Sequence, residues 1–304
     1  MEYEMISKKI FVAIMLSTLC LTSCQKTKET TESKQCIEIF NIKNRATYNK
    51  AFPFCQTAAE QGYPQAQYYL GEIYQYKHDN DKAKGWYIKA VQNNISEAAI
   101  ELGLMAKQDE DEKIFLSREK GKYDEAIKWF QKADELGNSY GDLEIGNIYY
   151  LRYNDYHKAA EYYEKSAKKD NKIAMQLLAS IYQNPRLIEP DYAKAKMWYE
   201  KAAQLGMPNA QYELAKIYIK GEGTNQDYKQ AKFWLEQAIE NDKSKTQKIK
   251  ADAQFLLGEM YLDGKGVERN LIKAKEYLSQ SCIHPDKRNI VICFHIDELH
   301  KMAH

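Results

Sequence analysis

The stretch Tyr192–Tyr218, YAKAKMWYEKAAQLGMPNAQYELAKIY, contains two helical patterns joined by a short break. The first pattern places small and apolar residues on one helix face, at Ala195, Trp198, Ala202 and Leu205. The second does the same at Ala210, Leu214, Ile217 and Tyr218. Between them, Gly206 suits the left-handed residue that ends a helix, and Pro208 suits the first turn of the next helix. The stretch therefore predicts a helical hairpin.

The same unit recurs along most of the chain. The small residue matching Ala195, which we call the anchor, is found at Ala51, Ala83, Ala126, Ala159, Ala195, Ala231 and Ala274. Three residues after each anchor stands an aromatic residue, at Phe54, Trp86, Trp129, Tyr162, Trp198, Trp234 and Tyr277. The steps between anchors run from 32 to 43 residues. Such periods are typical of an all-α solenoid, in which each hairpin buries its apolar face against its neighbours.

The other helix of each hairpin has a second signature, an aliphatic residue followed by glycine or alanine. It occurs at Leu70-Gly71, Leu102-Gly103, Ile145-Gly146, Leu178-Ala179, Leu214-Ala215 and Leu257-Gly258. A glycine inside a helix costs up to about 1 kcal/mol relative to alanine. Its recurrence therefore indicates that two helices approach closely at this point.

The N-terminus reads as a targeting segment. Lys8 and Lys9 precede an apolar run from Ile10 to Leu21, which is shorter than the roughly 20 residues that a membrane-spanning helix needs. The run ends in Leu-Thr-Ser-Cys, which resembles the bacterial lipoprotein box. The resemblance implies removal of residues 1–23, a lipid on Cys24 and a lipid anchor on the periplasmic face of the outer membrane. An ordinary cleaved signal peptide and a short anchor remain alternatives. Residues 24–35 are polar and predict a flexible lipidated tether.

Four further cysteines form two local pairs, one at each end of the array. In an oxidising compartment we predict the disulfides Cys36–Cys55 and Cys282–Cys293, since a terminal repeat has only one neighbour and gains from a staple. The two other connectivities and four free thiols stay open. The array is expected to cover residues 36–283, and residues 284–304 are expected to form a capping helix.

Composition and motifs argue against several functions. A net charge of +1 predicts no nucleic-acid binding. The Gly-x-Gly segments recur with the repeat and read as turns, and no catalytic motif was found. We expect no catalytic residue, no metal site and no cofactor. Two insertions, 107–122 and 242–250, are predicted to be surface loops, either partner-binding or without a role.

The segments WYEKAAQLG, AQYELAKIY and LGEMYLDGKGV resemble the Sel-one-like repeat, a relative of the tetratricopeptide repeat. The resemblance covers about residues 45–282. It implies a right-handed α-solenoid of about seven antiparallel helical hairpins, capped at both ends, that mediates protein–protein contacts.

In tetratricopeptide-like arrays the first helix of each repeat lines the concave groove. Three positions of this helix lie on one face: the residue two before the signature aliphatic, the residue two after it and the residue five after it. The predicted partner-binding residues are Tyr68, Glu72, Gln75, Leu143, Asn147, Tyr150, Tyr212, Lys216, Ile219, Phe255 and Glu259. Packing between repeats is the alternative interpretation of these positions.

The sequence thus predicts a non-enzymatic, lipid-anchored protein–protein interaction module or adaptor of the bacterial cell envelope. One alternative is an immunity protein that neutralises a secreted toxin acting in the periplasm, for example a type VI secretion effector. A minor alternative is a relative that binds or hydrolyses β-lactams. Those relatives carry a cysteine pair in each repeat, which this chain lacks.

Overall fold

A computed structural model of the protein describes residues 30–41, 45–117 and 121–282. Every regular element in this part of the chain is helical. The α-helices are α1 (Thr31–Asn41), α2 (Tyr48–Glu60), α3 (Pro64–Tyr76), α4 (Asn80–Gln92), α5 (Ser96–Ser117), α6 (Asp124–Glu135), α7 (Tyr140–Ile148), α8 (Tyr156–Ala167), α9 (Lys172–Gln183), α10 (Tyr192–Gln204), α11 (Pro208–Lys220), α12 (Tyr228–Asn241), α13 (Lys248–Asp263) and α14 (Leu271–Ser281). Residues Arg45–Thr47 form a 3₁₀ turn and Tyr149–Tyr153 a π-helical turn.

Consecutive helices pack against each other from α1 to α4 and from α6 to α14, which confirms the predicted all-α array of helical hairpins. From α3 onward the odd-numbered helices carry the aliphatic-Gly/Ala signature, and we call them A helices. The even-numbered helices carry the anchor alanine, and we call them B helices. The chain divides at Asp109–Glu110 into two compact units. Unit 1 comprises the described residues up to Asp109, and unit 2 comprises those from Glu110 to Cys282.

The signature glycines lie where a B-helix side chain presses on the A helix. A Cβ at Gly71 would stand 2.5 Å from Cε1 of Tyr87, and one at Gly146 would stand 2.5 Å from Cδ1 of Tyr163. These distances confirm the close approach predicted from the sequence. The contacting residue lies four positions after the anchor, in a buried row that the sequence analysis missed: Tyr87, Phe130, Tyr163, Tyr199, Leu235 and Leu278.

A repeated hydrogen-bonded junction begins five of the six B helices, all except α6. At α10, the backbone N–H of Asp191 donates to the carbonyl of Tyr182 (2.9 Å). The Asp191 carboxylate then accepts from the backbone N–H of Lys194 (2.9 Å), which caps the helix. The same arrangement begins the helices at Asp79, Asp155, Asp227 and Asn270. The same hydrogen bonds therefore close links of different length between the helices.

The turn inside the opening stretch forms as predicted, with one correction. Gly206 has φ +74°, and Pro208 is the first residue of α11. Leu205, however, is 50% exposed rather than part of the buried face. Helix α10 ends at Gln204, so Leu205 already turns away from the helix stripe.

The N-terminal helix begins earlier than expected, at Thr31, inside the segment 24–35 predicted as a tether. The backbone N–H of Ser33 donates to Oγ1 of Thr30 (3.2 Å), so Thr30 acts as a helix cap that the sequence analysis overlooked. Helix α1 packs on α2, and a disulfide joins Cys36 to Cys55. The pair Cys282–Cys293 stays a prediction because Cys293 lies outside the described residues, as do residues 1–23, Cys24 and 284–304.

The insertion 107–122 was wrongly predicted to be a loop, since α5 continues through it to Ser117. The Asp109 carboxylate lies 2.7 Å from Nζ of Lys84. In unit 2, Asp111 accepts from the Tyr123 hydroxyl (2.5 Å) and pairs with Arg152 (2.7 Å). Asp109 and Asp111, which the sequence had suggested were residues of a surface loop, therefore have partners in the folded chain.

The second insertion, 242–250, is a loop up to Gln247, and its last three residues begin α13. No helix in the described residues has the length and apolar character that crossing a membrane requires.

Candidate protein-binding surface

The predicted partner-binding residues lie on four A helices and the π turn, and most are half-buried. Two are not available to a partner: Leu143 is 3% exposed and Tyr212 is 9% exposed. Leu143 packs in a core cluster with Leu178, and Tyr212 packs in another with Leu257. Both side chains pack with residues of a later repeat, so the packing alternative is correct for them and they leave the candidate surface.

Unit 1 contains a cavity of about 460 Å³ that includes two of the predicted residues. It is lined by Tyr48, Glu72, Gln75, Tyr76, His78 and Glu101, and we call it the acidic cavity. The Tyr68 hydroxyl donates to Oε1 of Glu72 (2.7 Å) at its edge. The Tyr87 hydroxyl donates to Oε1 of Gln75 (2.7 Å). The buried Tyr87 of the B helix α4 therefore holds Gln75 in place, and Tyr68 of α3 itself holds Glu72.

Glu101 is the residue of this cavity that the sequence analysis missed. It stands directly before the signature Leu102, a position that was not included in the predicted stripe. Burial and the negative charge of Glu72 raise the pKa of the Glu101 carboxyl, while a hydrogen bond with Gln75 opposes this shift. The cavity thus brings together two carboxylates from helices of successive repeats. The available sequence signal was an acidic residue directly before the signature.

Unit 2 contains a groove of about 560 Å³ along α9 and α11. Its lining includes Gln176, Ser180, Gln183, Tyr199, Glu213, Lys216, Lys220 and Glu222, and we call it the polar groove. The Tyr199 hydroxyl donates to Oε1 of Gln183 (3.3 Å). Nζ of Lys216 lies 2.7 Å from Oε2 of Glu213. Oε1 of Gln176 is buried and has no hydrogen-bond donor in the described part of the chain.

The acidic cavity and the polar groove occupy equivalent repeat positions. Each contains two residues of one A helix, two and five positions after its signature aliphatic, and the residue directly before the signature of the next A helix. These residues are Glu72, Gln75 and Glu101 in unit 1 and Ser180, Gln183 and Glu213 in unit 2. In each, a B-helix tyrosine donates to the glutamine. The scaffold therefore repeats one concave site, and its side chains differ from copy to copy.

The remaining predicted residues lie outside these two sites. Asn147 accepts from the Tyr163 hydroxyl (2.8 Å), and the ring of Tyr150 packs edge-on against Tyr156. On α11, Ile219 packs against the core cluster of Tyr212. On α13, burial and the charge of Asp263 raise the pKa of Glu259. Phe255, also on α13, is half-buried.

The end of α5 carries a third concave feature, in unit 2. Ile114, Phe115, Tyr123, Leu151 and Arg152 line a cavity of about 450 Å³. The side chains of Phe115 and Leu116 are 85% and 81% exposed. The insertion therefore presents apolar side chains from a helix rather than from a loop.

The chemistry of these surfaces is that of non-covalent recognition. They offer carboxylates, amides, tyrosine hydroxyls and aromatic rings on rigid helices. Within the described residues, no group of three or more His, Cys, Asp and Glu side chains is arranged to hold a metal ion.

Two solved structures share the fold. A Sel1 repeat protein from Oxalobacter formigenes is 24% identical with a TM-score of 0.62, and the match covers 90% of this chain and 78% of that one. A protective antigen from uropathogenic Escherichia coli that displays an SLR fold is 23% identical with a TM-score of 0.60. That match covers 83% of this chain and 51% of the antigen, so this chain spans about half its length.

An immunity protein from Pseudomonas aeruginosa is 19% identical with a TM-score of 0.41, and the match covers 64% of this chain and 75% of that one. A likeness at this level supports no inference about function. No curated protein matches the chain.

The family comparison is decisive for the fold. The Sel1 repeat matches at residues 64–95, 96–138, 143–171, 172–207, 208–243 and 251–284. These six matches cover more than half of the chain and follow its A–B helix pairs from α3 to α14. The hairpin α1–α2 precedes the first match. The chain belongs to the Sel1 repeat family, the Sel-one-like repeat that its sequence resembles.

Proposed function

We propose that the protein is a non-enzymatic, lipid-anchored adaptor of the bacterial cell envelope that binds another protein along its A helices. The observation that carries the proposal is the recurrence of one concave site at equivalent positions, as the acidic cavity and as the polar groove. Both are lined by polar side chains that the core does not need. Membership of a repeat family that binds proteins supports the same conclusion.

The geometry suits protein recognition for a physical reason. Tyr87 and Tyr199 are buried, so the glutamines that they hold are fixed before a partner arrives. Pre-organised side chains lose little conformational freedom on binding, which leaves more of the interaction energy for affinity. Rigid helices also hold such groups more precisely than loops do.

The lipid anchor rests on the Leu-Thr-Ser-Cys segment that ends at Cys24. In this proposal the lipidated Cys24 holds the array at the periplasmic face, on the outer membrane. Only a few residues separate Cys24 from α1, which starts at Thr31. The folded body would therefore stay close to the lipid surface.

The test of partner binding is crosslinked affinity purification from membranes followed by mass spectrometry. Replacement of Tyr68 and Tyr150 by alanine should remove the captured partner without unfolding the array, because both side chains are half-buried on the A-helix surface. Ile272→Ala is the control, since Ile272 is 79% exposed on the B helix α14. Unchanged capture by the tyrosine variant would reject the A-helix surface as the binding site.

The same experiment separates the candidate roles. Capture of envelope proteins supports the adaptor. Capture of a secreted toxin would replace it with the immunity role. Cys24→Ala should release the protein from the membrane fraction, and a variant that stays in that fraction would reject the lipid anchor.

A further inference from the structure

The acidic cavity differs from the polar groove in its charge balance. In the polar groove, Lys216 stands two residues after the signature Leu214 and lies 2.7 Å from Glu213. The equivalent position in unit 1 is Leu104, two residues after Leu102. A leucine cannot offset the charge of Glu101. The described residues that line the acidic cavity include His78 but no lysine or arginine.

The electrostatic consequence is visible at Glu101. Its pKa is raised by burial and by the charge of Glu72, and a neutral amide, Gln75, is what opposes the shift. A carboxylate in such surroundings is stabilised when a positive charge approaches it. The Glu101 side of the cavity is thus electrostatically complementary to a cation.

The aromatic residues of the cavity add to this complementarity. Tyr48 and Tyr76 both line it, and their rings meet edge to face with centroids 5.3 Å apart. Aromatic faces attract ammonium and guanidinium groups. A volume of about 460 Å³ leaves room for a long side chain rather than for a bare ion.

We propose that the acidic cavity receives a lysine or arginine side chain of the protein partner, bound between Glu72, Glu101 and the tyrosine rings. The inference rests on the proposed function and names the chemistry of one contact within it. Ion pairs in a partly buried site, with charge-assisted hydrogen bonds, favour the matching partner and penalise one that places an acidic residue there.

The proposal can be tested with the full chain and labelled synthetic peptides, by fluorescence anisotropy. The probe is a peptide of alternating lysine and alanine, with matched peptides in which glutamine or glutamate replaces lysine. The lysine peptide should bind best, and Glu101→Gln should weaken it by about tenfold, equivalent to about 1.4 kcal/mol. Glu72→Gln should act in the same direction.

Glu60→Gln is the matched control for non-specific attraction. It makes the same change in net charge at an exposed position of α2, also in unit 1. Its affinity for the lysine peptide should equal that of the wild type. The cavity proposal is overturned if Glu101→Gln leaves the affinity unchanged or if Glu60→Gln lowers it equally. Thermal unfolding checks that the Glu101 variant is folded, and its Tm should not fall, because the substitution removes a charge that burial disfavours.

Capture from membranes distinguishes failure of this proposal from failure of the proposed function. A partner captured equally well by wild type and Glu101→Gln, with unchanged peptide binding, would leave the adaptor role and reject the cation site. No captured partner, together with Glu101-dependent binding of the lysine peptide, would reject the adaptor role and support the cation site.

Discussion

The acidic cavity of unit 1 and the polar groove of unit 2 are two copies of one site with different electrostatics. A tyrosine hydroxyl holds a glutamine in both, at 2.7 Å in unit 1 and 3.3 Å in unit 2. A glutamate precedes the next signature in both. Lys216 neutralises that glutamate in unit 2, whereas Leu104 cannot do so in unit 1. In this array the repeat sets the geometry of the site, and variable positions set its charge: Leu104 stands where unit 2 has Lys216, and Glu72 stands where unit 2 has Ser180.

A second contrast concerns packing beneath the two sites. In unit 1, Gly71 makes room for Tyr87, whose ring would lie 2.5 Å from an added Cβ. In unit 2 the equivalent residue is Ala179, which shares a buried core cluster with Tyr199. The tyrosine ring therefore lies closer to the A-helix backbone in unit 1, where no Cβ stands in its way. The shorter hydrogen bond from Tyr87 to Gln75 agrees with that difference.

The largest expected effect is on stability, and it should be confined to the first hairpin of unit 1. Replacing both Cys36 and Cys55 by alanine should lower the free energy of unfolding by about 3 kcal/mol, because the disulfide no longer restricts the unfolded chain. Hydrogen exchange should show lost protection in α1 and α2, while α9–α12 keep theirs. Equal loss of protection in both regions would show that the staple acts on the whole array rather than on its first hairpin.

Gly71→Ala should cost about 1–3 kcal/mol of unfolding free energy, since the added methyl group overlaps the ring of Tyr87. The reciprocal change, Ala179→Gly, creates no overlap and should cost about 1–2 kcal/mol, from the difference in helix propensity and the loss of a buried methyl group. Chemical denaturation of both variants measures this. An unchanged or raised stability of Gly71→Ala would contradict the close approach of Tyr87 to α3.

A reciprocal exchange tests the charge comparison. Leu104→Lys should weaken the lysine peptide by about tenfold, or about 1.4 kcal/mol, because the new ammonium group takes the place of the ligand beside Glu101. Lys216→Leu should give the polar groove a new affinity for the same peptide, since it releases Glu213 from its ion pair. Anisotropy titrations measure both changes. An unaltered affinity in Leu104→Lys would remove this position as the source of the difference.

Much of the fold follows from residues that are close in the sequence. The anchor alanines and their aromatic neighbours predicted the hairpins, and the recurrence of Gly71 and Gly146 predicted close helix contacts. The errors arose where the pattern had to be extended past a helix end. The segment after Lys107 looked like a loop, but its acidic residues find basic or hydroxyl partners and α5 continues to Ser117.

The site was predicted less well than the fold. The stripe on the A helices correctly included Glu72 and Gln75, yet it also included Leu143 and Tyr212, which are buried. It omitted Glu101, whose position becomes meaningful only when α3 and α5 are seen to lie in successive repeats. Helical periodicity shows which residues share a face, but it does not show how far the neighbouring repeat covers that face.

The sequence alone determined the hairpin repeat. Helical periodicity and turn residues set the local backbone conformation over a few positions, and both recur along the array. The stretch from Tyr192 to Tyr218 is sufficient to recognise the repeat. The tertiary structure decided which copies hold an open, charged site. That depends on side chains such as Glu72 and Glu101, which are distant in the chain and meet only after the helices have stacked.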